Sequence, residues 1–147
     1  ASIRQGISLA YATSAVPAAQ RQRCHDPLAC VGSVLWVEDE SLMDAVTAIS
    51  GSGPAYVFLL AECLARAGEE VGLPGETAAQ LARETVAGAG ALLARSPLPV
   101  EVLRATVTSP GGTTAAALSI LMAEGGLQPI LTRAVAAATK RAGELAG

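Results

Sequence analysis

Glu38-Asp39-Glu40-Ser41-Leu42-Met43-Asp44-Ala45-Val46-Thr47-Ala48-Ile49-Ser50-Gly51-Ser52-Gly53-Pro54-Ala55-Tyr56-Val57-Phe58-Leu59-Leu60 is the stretch on which the fold turns. Asp39, Glu40 and Ser41 set acidic and capping side chains ahead of Leu42, Met43, Ala45, Val46 and Ile49. Negative charge there complements the positive end of a helix dipole. The spacing predicts a helix that stops at Gly51 and a second that begins at Pro54, where proline's missing N–H costs nothing. The second runs to about Val71 and ends at Gly72. Its first three turns are apolar nearly all round, and a helix of that kind is buried on every side. In 147 residues that means a central helix or one clasped by a partner chain. Cys63 lies in this run and is expected to be a buried thiol. Glu62 and Arg66 are its one couple at ion-pair spacing.

Downstream, Leu81, Ala82, Thr85, Val86, Ala89, Leu92 and Leu93 recur at helical spacing and predict a third helix over 76–95. Gly88 and Gly90 each cost about 1 kcal/mol there relative to Ala, which predicts close approach of another backbone. A fourth helix starts at Pro99 and runs into Val107, a fifth covers 113–124 and a sixth 128–145. Everything after Glu38 reads as helix and turn, an all-α helical bundle. Upstream, Ser2-Ile3 and residues 6–10 could hold a short strand and the start of a helix, and 31–37 a strand. Between them, residues 20–27 are polar and aperiodic, and no structure is expected of them. The expected division is 1–35, poorly structured, and 36–147, a helical domain.

Hydrophobic residues make up 51% of the chain but aromatics only 3%, so the apolar content is mostly Ala, Leu and Val. Ala and Leu lose least on entering a helix, and the small side chains bury little area each, which makes a second subunit a natural source of cover. The net charge of −3 comes without any basic run, so nucleic acid is not an expected partner. The two longest uncharged stretches, 45–61 and 105–123, are broken by Ser50-Gly51-Ser52-Gly53-Pro54 and Ser109-Pro110-Gly111-Gly112. Neither is expected to span a membrane as one helix. With no cleavable signal pattern at the start, the expectation is a soluble, cytoplasmic protein. Cys24, Cys30, His25 and Asp26 match no metal-ligand spacing, and no metal site is expected.

Two glycine-rich turns could carry chemistry. Ser50 to Pro54 lacks the lysine and the preceding strand of a phosphate loop and reads as a joint between helices. Val107-Thr108-Ser109-Pro110-Gly111-Gly112-Thr113-Thr114 differs. Its two glycines leave backbone N–H groups uncovered, and its threonines open a helix at the positive end of the dipole. That combination suits a carboxylate or phosphate; a capped turn with nothing bound is the alternative. There is no Ser-His-Asp set, no marked acid/base pair and no GxGxxG after a strand.

The segments Val37 to Glu40, Met43 to Tyr56, Val107 to Thr114, Gly72-Leu73-Pro74 and Arg141 to Leu145 together resemble the pyrroline-5-carboxylate reductase family. The resemblance runs from about Trp36 to the end. It implies an N-terminal Rossmann domain and a C-terminal helical domain that intertwines into a homodimer, often assembled into higher oligomers. It implies reduction of 1-pyrroline-5-carboxylate to L-proline with NADPH or NADH. It further implies that Ser109, Gly111, Gly112, Thr113 and Thr114 border the substrate, with backbone N–H groups on its carboxylate and the Thr114 hydroxyl as the catalytic contact to the imine nitrogen. Against the family pattern, residues 2–10 resemble the last Rossmann strand and a helix start, and residues 20–29 have no counterpart and read as a junction. The cofactor fingerprint is missing. The expectation is a truncated reductase: a dimer-forming domain with half of a substrate site and an irregular Rossmann remnant, which binds no cofactor alone and is inactive alone. Its rivals are a non-catalytic helical module that joins full-length reductase subunits, and an enzyme whose cofactor domain comes from a separate chain.

Overall fold

The structure, a computed structural model, describes residues 5–147; the expectation for Ser2-Ile3 lies outside them. The chain divides into two compact units, one formed by residues up to Gly53 together with Ala134–Gly147, the other by Pro54–Arg133.

The first unit opens with strand β1 (Gly6–Tyr11), helix α1 (Ala18–Ala29) and strand β2 (Gly32–Val37). The strands pair in parallel, from Gly6 opposite Gly32 to Tyr11 opposite Val37. This β-α-β unit replaces the irregular segment expected over 1–35, and residues 6–10 form strand throughout rather than a helix start. The cause is visible in α1. Arg21, His25 and Leu28, at helical spacing, are its half-buried positions, so polar side chains occupy the face that an apolar stripe would normally mark. Along β2, Val34 and Trp36 are half-buried while Ser33 and Leu35 are exposed, the alternation of a pleated strand.

After β2 the Asp39 side chain accepts a hydrogen bond from the Ser41 amide at 2.9 Å. The Ser41 hydroxyl and amide both favour the charged carboxyl and hold it below its usual range. The segment read as one helix ending at Gly51 is a 3-10 turn (Glu40–Leu42), a short α2 (Met43–Val46) and a π-helical turn (Thr47–Gly51). Thr47 and Ser50 donate their hydroxyls to the carbonyls of Met43 and Val46, each at 2.9 Å. Such side-chain bonds compete with the helical ladder and accompany its widening. Helix α3 (Gly53–Glu70) follows directly. The segment 50–54 is the joint between helices that was expected, yet Glu40–Glu70, not expected to span a membrane as one helix, is long and apolar enough to cross one by length and composition.

The second unit holds α3, α4 (Gly75–Arg95), α5 (Val100–Thr106), α6 (Thr113–Leu121) and the start of α7 (Leu127–Ala146). With α2, these make six α-helices after Glu38 and no strand there among the described residues. Helix α6 stops at Leu121, three residues short of the expected Glu124. Helices α3 and α4 meet where a β-carbon on Gly68 would lie 3.1 Å from that of Ala78. Ala78 and Ala82 are buried in this unit and Ala48 in the first. They are all small.

Helix α3 buries none of its residues: Phe58 is 72% exposed and Leu59 56%. Cys63, expected as a buried thiol, is exposed. The Glu62–Arg66 pair forms at 2.5 Å. Nothing lies within 4 Å of a β-carbon placed on Gly88 or Gly90, so the backbone approach expected there is not made among the described residues.

Candidate functional site

The Val107–Thr114 segment is anchored at both ends. The Thr108 amide donates to the Ala105 carbonyl at 3.1 Å, and its hydroxyl to the Arg104 carbonyl at 2.7 Å. These bonds satisfy carbonyls left free at the end of α5. Pro110 then sets the turn, and Gly111 adopts φ +70°, a conformation that costs glycine nothing. The Gly112 amide donates back to the Ser109 carbonyl at 3.1 Å, closing a turn with proline second and a left-handed glycine third. A β-carbon on Gly112 would collide with the Ser109 hydroxyl.

Gly112 is also the N-cap of α6, and no side chain caps that helix. The first bond into the helix runs from the Ala116 amide to the Gly112 carbonyl at 3.1 Å. The amides of Thr113, Thr114 and Ala115 therefore precede it, at the positive end of the dipole. Ser109, Gly111 and Thr113 are exposed; Gly112 and Thr114 are half-buried. All five residues singled out from the sequence thus come together in one turn, an arrangement able to bind a carboxylate through N–H groups and hydroxyls.

Beside it, Arg104, Thr108, Ala115, Leu118, Ser119 and Met122 line a cavity of about 590 Å³ between α5 and α6. Arg104 points its Nη1 at the Met122 sulfur, 3.3 Å away. Neither Arg104 nor the anchoring hydroxyl of Thr108 was singled out from the sequence. A base in the last turn of α5, four residues before a threonine, is the signal that marks them.

The other candidates hold no comparable site. Gly51 ends the π-helical turn and Gly53 starts α3, so that segment is a helix joint. Between β1 and α1 the turn reads Ala12-Thr13-Ser14-Ala15-Val16-Pro17, without glycine, and Pro17 caps α1 with no side-chain bond. A dinucleotide pyrophosphate needs glycines at that turn for close backbone approach, so the residues present do not fit one. No group of three His, Cys, Asp or Glu side chains gathers as a metal cluster among the described residues.

The model of the pyrroline-5-carboxylate reductase dimerisation family matches residues 40–145. The pyrroline-5-carboxylate reductase of Pseudomonas aeruginosa is 45% identical over 144 residues, which cover 98% of this chain and 52% of that protein. That of Mycobacterium leprae is 48% identical over 144 residues, covering 84% of this chain and 48% of the relative. Among solved structures, the pyrroline-5-carboxylate reductase of Coxiella burnetii superimposes with a TM-score of 0.90 at 40% identity, covering 98% of this chain and 53% of that one. The Plasmodium falciparum enzyme with NADP bound gives 0.79 at 31% identity, covering 95% and 53%. The chain spans about half the length of the curated relatives it matches. An alignment over 98% of the chain leaves no room for an unmatched segment at 20–29, so the junction expected there is instead family sequence, folded as α1. By sequence along most of its length and by backbone over nearly all of it, this chain belongs to the pyrroline-5-carboxylate reductase family and contains its dimerisation domain.

Proposed function

We propose that this chain supplies the dimer-forming and substrate-carboxylate part of a pyrroline-5-carboxylate reductase, which reduces 1-pyrroline-5-carboxylate to L-proline with NADPH or NADH. The observation that carries the reading is the uncapped start of α6 behind a turn held open by Gly111 and Gly112. The substrate carboxylate would sit on the amides of this turn, and the Thr114 hydroxyl would reach the ring nitrogen. A small rigid ring held at its carboxylate presents its imine carbon in a fixed direction, the positional part of the catalysis. The nicotinamide is held outside these residues, and no step at it is assigned to them.

Two copies of the chain form the working unit. Phe58, Leu59 and Leu60 on α3 and Ile120 on α6 are exposed in the single chain, and a second copy would cover them. The open faces at Gly88 and Gly90 would admit its backbone. Cytoplasmic location belongs to the same reading.

Titration with L-proline, followed by amide chemical shifts, tests the site. A few hydrogen bonds and a helix end support a dissociation constant on the order of millimolar. The amides of residues 111–115 should move first, with no turnover of pyrroline-5-carboxylate and no appreciable NADPH binding by the isolated chain. Proline that moves no amide in the turn, or NADPH that binds tightly by itself, contradicts the proposal.

A further inference from the structure

The chain has one histidine and one tryptophan, and they meet. The indole Nε1–H of Trp36 on β2 donates to Nδ1 of His25 on α1 at 3.4 Å, in a part-buried setting. One turn earlier on α1, the Arg21 guanidinium lies over the same indole, 5.7 Å from its centroid. Arg21 also donates from Nη2 to the Ala12 carbonyl at 3.0 Å, and its Nε is buried without a partner. Three side chains thus fasten α1 to the sheet where an apolar stripe is missing.

This fastening depends on protonation. Indole can only donate, so His25 must be neutral with the lone pair on Nδ1. A proton taken up at Nδ1 turns the acceptor into a donor facing a donor, and puts a second positive charge one helical turn from Arg21. The surroundings offer little compensation. On α1 the other ionisable groups are Arg23, Cys24 and Asp26, whose carboxylate accepts from Gln22 at 2.6 Å. Strand β2 has none, and β1 has Tyr11 at its end. Beyond β2, Glu38 and Asp39 are exposed, and Asp39 is held by Ser41. Among the described residues no carboxylate pairs with His25.

We propose that His25 and Trp36 form a proton-sensitive clip, closed when the imidazole is neutral and holding α1 on β2, and opened by its protonation.

The single indole N–H gives one resonance and the test its probe. On acidification from about pH 8 to about pH 5, that resonance should move upfield and the tryptophan emission to the red. Protection of the α1 amides against hydrogen exchange, corrected for the intrinsic rates, should fall by up to about tenfold, the net worth of one hydrogen bond. His25→Gln offers an amide oxygen that does not titrate and should abolish the pH response of both probes. Trp36→Phe should leave α1 equally weakly protected at both pH values. An indole resonance that stays still in the unaltered protein would overturn the clip, as would an undiminished response in His25→Gln. If that variant fails to fold, the resonance of the unaltered protein decides alone.

Discussion

A side chain on Gly112 has nowhere to go but into the Ser109 hydroxyl. Gly112→Val must therefore displace the turn and cover the amides that open α6, and proline affinity should fall at least tenfold in the amide titration, about 1.4 kcal/mol. Thr114→Val keeps the backbone and removes one hydroxyl, so its effect should be a weakening of a few-fold, the size of a single hydrogen bond. If both variants bound proline like the parent, the turn would not be the site. Asp39 acts on the neighbouring helix. Its carboxyl is held below the usual range by Ser41, so its stabilisation is present above the unfolded value and is lost as pH falls through the depressed folded one. The helicity deficit of Asp39→Ala, measured by circular dichroism, should shrink on acidification. The turn and helix start at Ser109–Thr114 were legible in the sequence because proline, glycines and threonines in that order dictate them. Arg104 was not singled out, since only the fold brings it beside Met122.

At the scale of elements, legibility followed the kind of face each helix presents. Helices α3, α4 and α7 carry apolar residues at helical spacing, and their observed bounds lie within one or two residues of those read from the sequence. Helix α1 faces its strand with Arg21 and His25 and holds Pro27 inside, so neither hydropathy nor composition marked it. The stop at Gly51 and the new start beside Pro54 were read correctly, but the π-helical turn at Thr47–Gly51 was not, because hydropathy does not mark the widening. Helix α3 was read as buried, and it is exposed along Phe58, Leu59 and Leu60. In the dimer proposed above a second copy would cover it, and each apolar side chain covered would contribute about 1.5–3 kcal/mol. Phe58→Asp should therefore raise the dimer dissociation constant at least tenfold, because it removes that burial and adds a charge needing water. Glu62→Gln disturbs an exposed pair of small energetic weight and should leave assembly unchanged. Equal dimer affinity in Phe58→Asp and the parent would remove α3 from the interface.

For the whole molecule, the small core is the decisive feature. The buried apolar side chains among the described residues are Ala48, Ala78 and Ala82, and alanines contribute little area each. If the proposed dimer supplies the missing burial, the melting temperature should rise with protein concentration. The membership in a dimerisation family and the uncovered faces of α3 and α6 point the same way. Sedimentation equilibrium at micromolar concentration tests this directly. The predicted result is a single species of twice 14.7 kDa or a multiple of that dimer; a monodisperse, folded monomer would contradict it.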